Sequence, residues 1–359
     1  MKLSDTQTLA LPPSADMHVH LRQDAMAELV APQIRKGGVD TVFVMPNLVP
    51  PITTVAAALV YKSRLVQIEP NVRYLMSLYL HASITPEVIA DAAAAGIAGV
   101  KLYPQGVTTN SDSGVTSLDA FFPVFAAMEK HDLVLNLHGE VADLAGHGDI
   151  THEEAFLPTL QRLHQRFPKL RIVLEHCTTA AAVEAVRACG PNVSGTITAH
   201  HLYLTTADTC DPHAFCKPIP KKAADRDALC RAVVSGDPKF FFGSDSAPHP
   251  LRSKQVGPDG KAPAGVFTQP YATQLVLLAL EEAVGRRAIH EGDVTLERLE
   301  LFLSRAGRRF YKLPEPAAGP GIVLRRRGEK VAQSIRSENG AIEVGVSRGG
   351  VDIWSLSWA

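Results

Sequence analysis

The chain has 359 residues, 46% of them hydrophobic and 20% charged, with a formal net charge of -1. The near balance of mixed charges leaves no basic surplus of the kind nucleic acid or an anionic membrane would need. No apolar run approaches membrane-spanning length and no secretory leader pattern opens the chain. Five cysteines without a Cys-x-x-Cys pair argue against a disulfide framework, so a cytoplasmic, reducing compartment is expected.

In chain order, short β-like runs alternate with longer helical patterns. Strands are expected at residues 16–21, 40–46, 72–80, 97–104, 132–140, 170–177, 193–201 and 239–246. Amphipathic helices are expected at 25–38, 54–67, 85–96, 118–131, 153–167, 180–190, 224–236 and 273–285. The helices rest on apolar spacing and on start signals such as Thr85 followed by Pro86 and Glu87. Eight strand–helix units predict an α/β fold of the closed (β/α)8 TIM-barrel type. No GxGxxG or P-loop follows any strand, which weighs against a doubly wound sheet. Residues 1–359 read as one domain, with the barrel at about 12–313 and a small C-terminal β extension at about 314–359. Within that extension "AIEVGVSRGGVDIWSLSWA" alternates around a Gly-Gly turn and should pack on the barrel. "GPDGKAPAG" at 257–265 reads as a loop, and Arg325, Arg326 and Arg327 as a solvated run.

The unusual polar residues fall at strand ends. His18 and His20 close the first strand and Lys101 lies in the fourth. His138 ends the fifth, His176 ends the sixth and Asp245 follows the eighth. In a barrel these positions converge on the C-terminal mouth, where barrel enzymes keep their active sites. Four histidines and an aspartate suit zinc or a similar metal, and exceed what one tetrahedral ion needs. Lys101 is the odd member, because an ammonium has no lone pair for a metal. Either it snorkels to the rim, or its amine is carbamylated and offers two oxygens. Arg22 shares the face of His18 and His20 if the strand continues, and with Asn47 it is placed to hold a substrate carboxylate. His249, four residues after Asp245, is placed to meet substrate.

The stretches "DMHVHLR", "MPNLVPPITT", "VKLYPQGVTTNSDSGV", "LNLHGE", "LEHCTT", "TITAHHL", "CKPI", "GSDSAPHP" and the tail "IWSLSWA" carry a further signal. Here the sequence resembles the short, single-function dihydroorotases of bacteria and fungi, in the amidohydrolase superfamily. The resemblance implies a metal-dependent amidohydrolase barrel holding two zinc ions. His18, His20 and Asp245 would hold one ion and His138 and His176 the other, with N6-carboxylated Lys101 bridging both. It implies reversible cyclisation of N-carbamoyl-L-aspartate to L-dihydroorotate plus water in pyrimidine biosynthesis. A zinc-bridging hydroxide would be the nucleophile and Asp245 the acid and base.

By the same resemblance Arg22, Asn47 and His249 would contact the substrate carboxylate. Backbone near Lys217 and Ala264 would contact the ring, and Thr108 and Thr109 would sit in a closing loop. Many relatives carry a cysteine-rich run before "AGVF", where this chain reads "GPDGKAPAGVF". The implied partners are the small-molecule substrate and a second copy in a homodimer, with no nucleic acid and no membrane. The alternative is another binuclear cyclic amidohydrolase, of hydantoinase or allantoinase type. Those relatives usually carry a β-rich segment before the paired histidines, for which His18 comes too early. Barrel relatives that serve only as binding proteins have lost ligands, and none of the six is missing here.

Overall fold

The computed structural model describes residues 1–255, 262–317, 319 and 321–359. A short strand, β1 (Thr8–Leu11), precedes the eight expected ones: β2 (Ser14–Val19), β3 (Val39–Val44), β4 (Arg73–Tyr79), β5 (Gly99–Leu102), β6 (Val134–His138), β7 (Ile172–Glu175), β8 (Val193–Ile197) and β9 (Phe240–Phe242). β2 to β9 pair in chain order, all parallel. Such strands are buried on both faces, so they read as nearly continuous apolar runs. The ring is drawn together just past the ends of β9 and β2. Asp245 N–H donates to the His18 carbonyl at 2.8 Å, and His20 N–H donates to the Ser246 carbonyl at 3.0 Å. Gly243 permits this approach, since a methyl group there would stand 3.0 Å from His18 Cβ and 2.9 Å from Thr196 Cγ2.

The helices are α1 (Asp24–Val30), α2 (Gln33–Lys36), α3 (Val55–Ile68), α4 (Pro86–Ala94), α5 (Phe122–His131), α6 (His152–Arg166), α7 (Ala180–Ala188), α8 (Ala223–Val233) and α9 (Ala272–Gly285). Two short ones follow, α10 (Leu296–Glu300) and α11 (Ala306–Phe310). The single helix expected at 25–38 is split into α1 and α2. Pro32 lacks an N–H and its ring crowds the preceding turn, so the helix stops and restarts. Thr54, Thr85, Thr151 and Thr179 each accept a backbone N–H at a helix start, satisfying a donor the helix itself leaves unpaired.

β10 (Ile322–Lys330) and β13 (Asp352–Trp358) form an antiparallel sheet with β1, in the order β1-β10-β13. β11 (Ser334–Arg336) and β12 (Glu343–Gly345) make a separate pair. The extension is therefore stitched to the N-terminal strand, with Leu9 opposite Leu324 and Leu11 opposite Ile322. Arg326 is not merely solvated. It pairs with Glu281 at 2.5 Å and lies over the Trp354 ring. The main apolar core fills the space between sheet and helices. A smaller cluster of Met17, Phe43, Val134, Val173, Phe241 and Tyr311 fills the barrel. Residues 257–261 of the expected 257–265 loop lie outside the described residues.

Candidate active site

The barrel brings together side chains that lie up to 227 positions apart in the sequence. His18 is in β2, Lys101 in β5 and His138 at the end of β6; His176 follows β7, and Asp245 follows β9. The ring centroids of His18 and His176 are 5.1 Å apart, and those of His138 and His176 are 4.6 Å apart. Asp245 Oδ1 lies 3.0 Å from His20 Nε2 and 3.3 Å from His18 Nε2. All six of these residues are buried. Arg22, His176 and Asp245 have left-handed backbones, with φ of 58°, 43° and 46°. Such conformations are costly away from glycine and concentrate at functional sites.

A layer of buried partners orients the imidazoles. His18 Nδ1 is 2.8 Å from Glu175 Oε2, and that carboxylate also accepts from Asn136 and Thr196. His20 Nδ1 is 2.8 Å from Asn47 Oδ1, and His138 Nε2 is 2.9 Å from Glu140 Oε2. Only an N–H can serve these acceptors, so each ring keeps its lone pair on the other nitrogen. For His18 and His20 that nitrogen lies 3.3 and 3.0 Å from Asp245 Oδ1, so a proton or a cation must lie between them. Asp16 accepts from the backbone of His18 and from Ser244, bracing β2 against the segment after β9 that carries Asp245. The sequence reading missed Asp16, Glu140 and Glu175. Their signal was adjacency, since each stands one or two residues from a site histidine.

Charge is tightly managed. Burial by itself would raise the Asp245 carboxyl, but His18 and His20 outweigh it and hold it well below the usual carboxylate range. Burial lowers His20 to about 4 and also pushes His138 and His176 down. Burial pushes His18 down as well, but Glu175 and Asp245 together outweigh it and raise His18. Burial brings Lys101 down to about 8. Lys101 does not snorkel. It is 0% exposed, and its Nζ has no hydrogen-bond partner among the described residues; nor does His176 Nδ1. Imidazoles and a carboxylate gathered around buried atoms that lack partners among the described residues fit a divalent metal.

One cavity is lined by His18, His20, Arg22, Asn47, Thr108, Thr109, His138, His176, Lys217, Asp245 and Ala264, with Tyr103. Arg22 does not reach it by continuing the strand, which ends at Val19. The left-handed turn at Arg22 aims it inward instead, and its Nε donates to the Pro248 carbonyl. Asn47 acts here as a strut: its Nδ2 donates to the Thr109 carbonyl at 3.1 Å while its Oδ1 faces His20. Thr109 Oγ1 donates to the Ala264 carbonyl at 3.2 Å, and Lys217 Nζ to the Val107 carbonyl at 2.8 Å, so the Thr108–Thr109 loop is docked over the cavity. His249 is one layer back. Its Nε2 is 2.9 Å from the Ala264 carbonyl and 3.2 Å from Arg22 Nη2. The sequence reading also missed Lys254. Its Nζ donates to the carbonyls of Phe215, Pro263 and Gly265, tying both edges of this wall together.

Comparison with known proteins agrees with this geometry. The family model described as Amidohydrolase matches residues 70–284. Fold and site thus define an amidohydrolase barrel. A probable dihydroorotase of Schizosaccharomyces pombe is 52% identical over 92% of this chain and 95% of its own length. The crystal structure of Saccharomyces cerevisiae dihydroorotase with 5-fluoroorotic acid superposes with a TM-score of 0.89 at 41% identity, covering 98% of this chain and 99% of that one. The chain belongs to the dihydroorotase family. L-Hydantoinase from Arthrobacter aurescens, at 19% identity and a TM-score of 0.79 over 97% of this chain and 82% of its own, shares the fold.

Proposed function

We propose that this chain interconverts N-carbamoyl-L-aspartate and L-dihydroorotate at the mouth of its barrel, with two zinc ions as cofactors. The observation that carries the reading is the buried Lys101 Nζ, which has no hydrogen-bond partner among the described residues and lies near His18, His138, His176 and Asp245. His18, His20 and Asp245 would hold one ion and His138 and His176 the other. Carbamylated Lys101 would bridge them, because a carbamate supplies oxygen ligands where an ammonium supplies none. When bound, the ions supply Lewis acidity at the scissile carbonyl and make water a nucleophile at neutral pH.

The chain's own residues do the rest. Asp245, held ionised and beside His18 and His20, takes up the proton from the attacking water and returns it to the ring nitrogen. Arg22 stays charged, burial bringing it only to about 10, and it has no carboxylate partner among the described residues. It pairs with the substrate carboxylate, which positions the ring. Asn47 orients His20 and holds the Thr108–Thr109 loop over the ring. His249 and Lys217 steady the backbone at Ala264 and Val107.

Arg22 also favours this substrate over hydantoin, which carries no carboxylate. Assay of carbamoyl-aspartate cyclisation against hydantoin and allantoin hydrolysis tests the reading. Dihydroorotate chemistry should dominate, and a preference for hydantoin would overturn the substrate while leaving the fold. A cytoplasmic setting suits the five free cysteines. No helix among the described residues is long and apolar enough to cross a membrane. The homodimer finds support in exposed Leu59, Val60 and Val66 on α3, and light scattering tests it.

A further inference from the structure

A second group of donors lies beside the active site, near enough for His200 to feel Asp245 and His18, and supplies none of the six residues assigned to it. His200 and His201 stand in the turn just after β8, and Cys216 follows in the segment that leads to Lys217. All three are buried, and one donor atom from each lies within 4.8 Å of the others. Cys216 Sγ is 3.8 Å from His201 Nε2. The Pro218 carbonyl oxygen is 3.0 Å from that nitrogen and 3.4 Å from that sulfur.

The anomaly is His200. It is 0% exposed, and neither ring nitrogen has a hydrogen-bond partner among the described residues. Buried polar atoms are nearly always paired, and an imidazole left wholly unpaired calls for a ligand. Bonds of about 2.3 Å to sulfur and about 2.0 Å to nitrogen place the corners of a zinc tetrahedron roughly 3.3–3.6 Å apart. The triangle of Cys216 sulfur, His201 nitrogen and Pro218 oxygen is close to one face of that figure, and His200 is the remaining donor.

We propose that His200, His201 and Cys216, with the Pro218 carbonyl, form a further closed site for a borderline divalent cation such as zinc. The site shares no residue with the active site. Neither His200 nitrogen is engaged among the described residues; His201 Nε2–H donates to the Pro218 carbonyl while no ion is bound, and Nδ1, 2.9 Å from Thr198 Oγ1, can take that proton when Nε2 turns its lone pair to the cation. Burial drives the Cys216 thiol up, and the cation supplies the charge that makes it a thiolate. With four protein donors there is no open position, so the role is structural. The ion would pin the end of β8 to the segment whose Lys217 holds the Val107 carbonyl.

The test uses the full chain, stripped with a chelator and reloaded with cobalt(II). The active-site donors are all nitrogen or oxygen, so a near-ultraviolet thiolate-to-cobalt charge-transfer band reports a cysteine ligand. Wild type should show the band, Cys210→Ser, which changes the exposed cysteine, should keep it, and Cys216→Ser should lose it with one equivalent of bound metal. His200→Gln should weaken the band and the affinity behind it, and this variant serves if Cys216→Ser does not fold. No band from wild type, or a band unchanged in His200→Gln or Cys216→Ser, overturns the proposal.

Discussion

Nδ1 of His18 lies 2.8 Å from Oε2 of Glu175, and both side chains are buried away from solvent. The carboxylate accepts from the His18 ring, from Asn136 and from Thr196, so it settles which nitrogen of His18 faces Asp245. Glu175 is a positioning residue. Glu175→Gln should weaken metal binding by roughly 10- to 100-fold, the usual effect of losing such a partner. Activity should then recover as zinc is raised. Metal titration checks this, and unchanged affinity would count against the role.

Lys101→Ala should abolish activity, and short-chain carboxylic acids should restore part of it by standing in for the carbamate. Burial brings the Lys101 amine to about 8, which leaves more of it as the free base that reacts with carbon dioxide. Activity at saturating zinc, with and without added acetate, measures the effect. A Lys101→Ala enzyme that works normally would remove the bridge.

Arg22→Met should raise KM for dihydroorotate far more than it lowers kcat. A hydrogen bond to a charged group contributes about 1.5–3 kcal/mol, or roughly 10- to 100-fold in kcat/KM. Dihydrouracil, which lacks the carboxylate, should show little change between wild type and variant. Equal losses on both substrates would mean that Arg22 supports structure rather than binding.

His249 is brought down to about 2 by burial and then by Arg22. Its folded-state value lies below the ordinary 6.5, so the unfolded chain takes up a proton that the folded chain refuses. Stability from this residue is therefore present above pH 6.5 and is lost as pH falls below it, by up to about 2 kcal/mol at pH 5. His249→Gln should melt with a shallower dependence between pH 7 and pH 5. Parallel slopes for the two proteins would show that His249 titrates normally.

Thr109→Val should loosen the loop over the cavity, since Thr109 Oγ1 holds the Ala264 carbonyl at 3.2 Å. One neutral hydrogen bond contributes about 1 kcal/mol, so KM should rise roughly fivefold with kcat little changed. Steady-state kinetics decides, and an unchanged KM would place the loop outside substrate binding.

Much of the barrel was legible because its signal is local. Each strand is a short apolar run, each helix has its own period, and threonines mark the starts of several helices. Strand-end positions also point His18, Lys101, His138, His176 and Asp245 to the C-terminal mouth of the barrel from chain order alone. Two features were not read: Pro32 broke a helix, and β1 takes its partner from β10 at the far end of the chain rather than from a neighbouring strand–helix unit.

The sequence by itself determined the repeating strand–helix architecture and which residue types reach the mouth, because period and chain order are properties of neighbours. Only the tertiary structure decided what those residues meet. Glu175 against His18, the unpaired burial of Lys101, the turn that aims Arg22 inward and the gathering of His200, His201 and Cys216 all depend on contacts between distant segments. Burial then set their charge states, and no local pattern encodes the desolvation that closing the barrel imposes.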